Sequence, residues 1–217
     1  MWVWTLNWGE IRDDIVVGTC PTTAADIDAI GDETGARALL SLQTDECRAS
    51  LGIVYEDLVR HARRRDLVLV NAPMRDFDAV EQRSSLPSAV TALRNLLAGG
   101  RKTYVHCTAG ANRAPLTVLA YLTFVEGMTV PDAMALIHNG RPGAEPYWES
   151  YHGCRQDVIA RNRATVERRA WELCQLDPNP APDANWRQAE IEVLSESFGA
   201  QDQAEALSLG RSAGRTP

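Results

Sequence analysis

A chain of 217 residues is long enough for one ordinary α/β domain with an appendage, and 45% apolar with 24% charged residues excludes fibrous, collagenous and wholly disordered classes. The net charge of −7 argues against a nucleic-acid groove or a basic membrane face. Any anion must therefore be held by a local site that works against the global field.

Short β-like runs at Ile15–Val17, Ala38–Leu42, Leu67–Val70 and Thr103–His106 alternate with helical ones. The helical runs are Ala24–Ile30, Val54–Arg64, Pro87–Leu97, Pro115–Glu126 and Pro131–His138. This alternation predicts a three-layer α/β/α domain on a short, mainly parallel sheet. Thr129 before Pro131 reads as a helix cap, and Gly127 and Gly140 stand where helix-ending glycines belong. A helical stretch over Glu149–Leu176, a proline-rich break at 177–183 and a helical pattern at Trp186–Leu194 follow. The expected organisation is a domain over 1–160, a small helical module over 161–198 and a disordered tail over 199–217. No apolar run reaches the roughly 18 residues of a membrane span. The N-terminus lacks a basic segment followed by an apolar one, so a cytoplasmic protein is expected.

Five cysteines (Cys20, Cys47, Cys107, Cys154, Cys174) form no CxxC pair, and four histidines (His61, His106, His138, His152) form no metal-ligand pattern. No metal and no cofactor is expected. One thiol stands apart. In Thr103-Tyr-Val-His-Cys-Thr-Ala-Gly-Ala-Asn-Arg-Ala-Pro115 an apolar strand ends at His106, a small-residue loop follows, and a helix opens with Pro115 in its first turn. That geometry aims backbone N–H groups at an anion. Thr108, Ala109, Gly110, Ala111 and Asn112 let the backbone wrap a phosphate, and Arg113 returns with a planar fork for two of its oxygens. A cysteine beside an arginine at a helix N-terminus is disposed to ionise and attack. His106 is read as a group that steadies this loop.

An alkoxide leaving group also needs a proton donor. Val68-Leu-Val-Asn-Ala-Pro-Met-Arg-Asp-Phe-Asp78 runs a strand into a loop that should emerge at the same carboxyl edge of the sheet. It offers Asp76, with Asp78 second, as general acid; the alternative is a turn aspartate that caps the next helix. Cys20, after the first strand, is a candidate partner should Cys107 oxidise to a disulfide.

These residues resemble the dual-specificity branch of the cysteine phosphatases, and within it the glucan phosphatases, meaning the plant starch-excess enzymes and laforin. The resemblance covers roughly residues 5–160. It rests on Ile11–Gly18, Pro21–Asp28, Leu39–Gln43, Arg75–Asp78 with Leu86-Pro87, and Cys107-Thr-Ala-Gly-x-x-Arg-Ala-Pro115. It implies Cys107 as nucleophile, Arg113 as phosphate ligand and Asp76 as acid. It also implies Phe77 and Trp8 as sugar-contacting aromatics; Tyr147 and Trp148 are further candidates from their clustering. The expected partner is a phosphorylated glucan or, alternatively, a phosphoprotein; a module that binds such a ligand without turnover is the third reading, disfavoured by the Cys107, Arg113 and Asp76 set. Asn112 departs from the family's glycine, Ala114 from the usual hydroxyl residue, and Arg48–Gly52 lacks the family's aromatic pair. The segments Thr165–Leu173 and Asn185–Glu190 resemble a short bacterial two-helix domain, with Trp171, Leu173 and Trp186 read as a packing seam.

Overall fold

The computed structural model describes residues 4–176 and 182–199. Five strands are described: β1 Trp8–Arg12, β2 Ile15–Gly18, β3 Ala38–Ser41, β4 Val68–Asn71 and β5 Thr103–His106, in the sheet order β1-β2-β5-β3-β4. β2, β5, β3 and β4 run parallel, and β1 adds an antiparallel edge through a register of Trp8 opposite Gly18. Side chains alternate across the inner strands, as a sheet buried on both faces requires. Ile15, Val17, Leu40 and Val105 join one core, and Val16, Leu39 and Tyr104 join the other.

Helices α1 (Ala24–Thr34) and α3 (Tyr55–Arg64) cover the second face through Ile27, Ile30, Leu58 and Ala62. The first face is covered by α4 (Ala79–Ala98), α5 (Arg113–Ala120), α6 (Val130–Gly140) and α7 (Trp148–Arg161). A capping box of Thr23 and Asp26 starts α1, and Thr129 caps α6 through the Asp132 N–H. The three-layer architecture is the one expected. No described helix is long and apolar enough to cross a membrane.

Several boundaries differ from the sequence expectation, each for a local reason. The edge strand β1 is only partly buried, so its residues carry no clear alternation. The one-turn helix α2 (Asp45–Ala49) is too short for periodicity to reveal. α4 starts at Ala79 rather than Pro87, because Asp78 caps it and Gln82 and Leu86 are already buried. α5 opens at Arg113, two residues before Pro115, and passes into a π-helical turn over Tyr121–Val125. Gly140 is the last residue of α6 and not a left-handed stop. Its Cα lies so close to β1 that a Cβ would meet the Glu10 carbonyl at 2.0 Å.

The stretch expected as one helix over Glu149–Leu176 is divided at Asn162 into α7 and α8 (Arg163–Leu176). The last described helix, α9 (Pro182–Gly199), packs on α8 around Val166, Ala189 and Val193, with Leu173 and Trp186 beside them. Its end goes further. Leu194 and Phe198 enter the main core, where Phe198 stacks on Phe124. Of the tail expected over 199–217 only Gly199 is described, at the end of α9; the rest, with most of the break at 177–183, lies outside the described residues.

Candidate active site

Because β2 to β5 are parallel, the loops that follow Gly18, Ser41, Asn71 and His106 all emerge at one edge of the sheet. Cys107 sits there directly after β5, buried, beneath the loop that leads into α5. Gly110 holds φ +65°, and a Cβ there would strike the Gly18 carbonyl at 2.4 Å, so only glycine fits. No side chain caps α5: Asn112 precedes it, but its Nδ2 donates to the Glu145 carbonyl at 2.8 Å. The first-turn amides of α5 thus remain open toward the loop.

Arg113 is fully buried, and its guanidinium reaches across the loop. Nη1 donates to Met74 O at 2.9 Å and Nη2 to Asp76 Oδ2 at 2.7 Å, with longer contacts to Cys47 Sγ at 3.4 Å and Thr108 Oγ1 at 3.3 Å. Nε is buried without a partner. A guanidinium with one orphaned donor at the rim of an anion loop is open to an oxyanion. Burial opposes its charge, but Cys107, Cys47 and Asp76 more than offset this and raise its pKa.

Asp76 lies opposite. Its Oδ2 accepts from Arg113 and its Oδ1 from the Tyr147 hydroxyl at 2.8 Å. Burial and this bond push the Tyr147 phenol up, so it stays a donor. Asp78 has a different occupation, accepting the Glu81 N–H at 3.0 Å to cap α4. Between the two acids Phe77 holds φ +58°, a left-handed conformation that L-residues seldom adopt, with its ring 87% exposed. His106 is buried, and its pKa is lowered to about 4 by desolvation. Its Nδ1 lies 3.1 Å from the Cys107 carbonyl, which can only accept, so the neutral ring donates there.

Two cavities meet at this edge. A cup of ≈ 200 Å³ is lined by Asp76, Phe77, Cys107, Thr108, Ala109 and Asn112. A groove of ≈ 790 Å³ shares Phe77 and Asn112 with it and continues over Met134, Pro146, Tyr147 and Trp148. Six of the sequence-derived candidates therefore line the cup, Arg113 bonds two of them, and Tyr147 and Trp148 join through the groove. Trp8 does not. The β1 register turns its ring into the α1/α3 face, edge-on to Tyr104 with centroids 6.4 Å apart, so it lines neither cavity.

Cys20 donates its N–H to Thr108 O, while its side chain lies in the second core and burial pushes the thiol up to about 11. Three contributors escaped the sequence: Gln43, whose Nε2 donates to Thr108 Oγ1 at 3.2 Å; Cys47 against Arg113; and Arg141 behind the loop. Burial works against the Cys47 thiolate, but Thr44 and Arg113 outweigh it and lower the pKa. The only sequence signal for Gln43 and Arg141 is the presence of long polar side chains next to a strand end and a helix end.

A thiol under an anion loop, an arginine six residues on and a facing carboxylate define the class of cysteine phosphatases. Residues 40–151 match the family described as dual specificity phosphatase, catalytic domain, and the chain belongs to that family. The phosphoglucan phosphatase DSP4 (amyloplastic) of Castanea sativa is 31% identical over 169 residues, which is 77% of this chain and 44% of that protein. The phosphoglucan phosphatase LSF1 (chloroplastic) of Arabidopsis thaliana is 24% identical over 171 residues, 79% of this chain and 26% of that one. The chain thus spans less than half the length of these relatives. Among solved structures, PTPMT1 in complex with PI(5)P shares the fold, with a TM-score of 0.58 at 17% identity over 71% of this chain and 97% of that one.

Proposed function

We propose that this protein hydrolyses phosphate monoesters through a cysteinyl-phosphate intermediate and that its substrate is a phosphorylated glucan. The observation that carries the reading is the joined cup and groove, a small anion-binding floor opening onto a platform of rings. In the proposed step the Cys107 thiolate attacks phosphorus, an S–P bond forms and the ester P–O bond breaks. Asp76 gives its proton to the departing oxygen. It then takes one from a water that attacks phosphorus and releases inorganic phosphate and the thiolate. Loop amides and Arg113 hold the non-bridging oxygens, where charge is greatest.

The rings favour sugar. Phe77 is 87% and Trp148 41% exposed, the T-shaped pair of Phe77 and Tyr147 borders the cup, and flat apolar faces beside a phosphate suit pyranose rings. The segment after Gln43 offers no free ring, since Tyr55 lies beneath the Arg48 guanidinium at 4.4 Å. The names of two relatives point to phosphoglucan as well. Those two relatives bear plastid names.

The test is phosphate release from solubilised phosphoglucan, from phosphopeptides and from an aryl phosphate. Cys107→Ser should abolish all three while tungstate still binds. Phe77→Ala with Trp148→Ala should lower glucan turnover about tenfold or more, at roughly 1 kcal/mol per ring, and leave the aryl phosphate within twofold. Phosphopeptide turnover well above that of phosphoglucan would put the protein-phosphatase alternative first.

A further inference from the structure

Three consecutive carbonyls of the phosphate loop end on one short segment after α6. Arg141 Nη2 donates to Ala109 O at 2.9 Å and its Nε to Gly110 O at 2.9 Å, while the Glu145 N–H donates to Ala111 O at 2.7 Å. We propose that Arg141 is a positioning residue for the reaction: its fork fixes the orientation of two loop peptides and so aims their amides at the phosphate. The assignment rests on the reading of this loop as a phosphate cradle.

The geometry follows from the peptide itself. In a trans peptide the C=O of one residue and the N–H of the next point in opposite directions. Holding the carbonyls of Ala109 and Gly110 on Arg141 therefore turns the N–H groups of Gly110 and Ala111 the other way, and the Glu145 bond does the same for Asn112. Among the described residues these three amides donate to no backbone acceptor. Arg141 lies outside the cup, whose lining includes Ala109 and Asn112 but not Arg141. Only a planar fork reaches two neighbouring carbonyls at once. Burial lowers the Arg141 pKa, and Tyr104 and Cys107 offset this only in part.

Gly110 contributes by letting the clamp close. Its left-handed backbone lies between the Gly18 carbonyl on one side and Arg141 Nη2 on the other, both within reach of a Cβ that is not there.

Arg141→Lys keeps the charge and one bond at most, whereas Arg141→Met loses both. Tungstate inhibition of aryl phosphate hydrolysis reads the loop amides directly. The inhibition constant should rise about fivefold for Lys and roughly twenty-five-fold for Met, from one and two lost bonds, with kcat/KM falling in step. If Met does not fold, the Lys variant decides. A Lys variant inhibited within twofold of the parent overturns the assignment, as does a lowered melting midpoint with an unchanged inhibition constant, which is what a merely structural role predicts. A parent that tungstate does not inhibit overturns the phosphatase reading as well.

Discussion

The Arg113–Asp76 contact at 2.7 Å makes Asp76 a competitor of any phosphate oxygen for Nη2. A phosphate dianion that takes over the guanidinium leaves Tyr147 as the remaining donor to Asp76. Tyr147→Phe keeps the ring and removes only that bond. It should slow esters with poor leaving groups about fivefold more than an aryl phosphate, whose departure needs little protonation. Equal slowing of both substrates would show that the hydroxyl does not place the acid.

His106 makes a second residue-scale prediction. Its folded pKa, about 4, lies below the ordinary 6.5, because a buried imidazole loses its hydration on charging. As pH falls below 6.5 the unfolded chain takes up a proton that the folded one refuses, so stability falls until pH 4 and then levels. The whole effect is on the order of 3 kcal/mol. Urea midpoints at pH 7 and pH 4.5 should show it in the parent, and His106→Asn, which retains a donor for the Cys107 carbonyl, should lose that slope.

At the scale of elements, Asp78 caps α4 while Asp76 meets Arg113 and Tyr147, a division that the sequence left open. Asp78→Ala removes the cap of α4 and should cost about 1 kcal/mol in denaturant melts while aryl phosphate hydrolysis at 25 °C stays within twofold. A loss of activity on poor leaving groups only would instead make Asp78 the acid. Cys107, the loop and Arg113 were legible because they are contiguous, and strand, small-residue loop and helix start show in one short stretch. The inner strands were legible because burial on both faces leaves uninterrupted apolar runs. Gln43, Cys47 and Arg141 were not, since each reaches the loop from another segment and tertiary contact alone gives it a role. Trp8 was misplaced for a related reason: its strand was not recognised, so neither was the face it presents.

For the whole molecule, the end of α9 is part of the main core rather than a passenger. Phe198 stacks on Phe124 at 5.8 Å, Phe124 stacks on Tyr151 at 5.0 Å, and Arg94 Nη1 donates to the Phe198 carbonyl at 2.6 Å. Phe198→Ala should therefore destabilise by about 3–5 kcal/mol in denaturant titrations. Turnover per folded molecule should be unchanged, because the ring packs on Phe124 and does not line the cup. A loss under 1 kcal/mol would mean that α9 rests on the domain without completing it.

That stacking also sets an order of events during synthesis. At about 5–20 residues per second, Phe198 follows Phe124 from the ribosome by roughly 4–15 s. Until it arrives, the aromatic face of the π-helical turn has no cover from α9, and a nascent chain with the loop after Cys107 already made still presents an apolar patch to its neighbours. The main core is therefore closed only when α9 docks, and until then its aromatic face is accessible to other apolar surfaces.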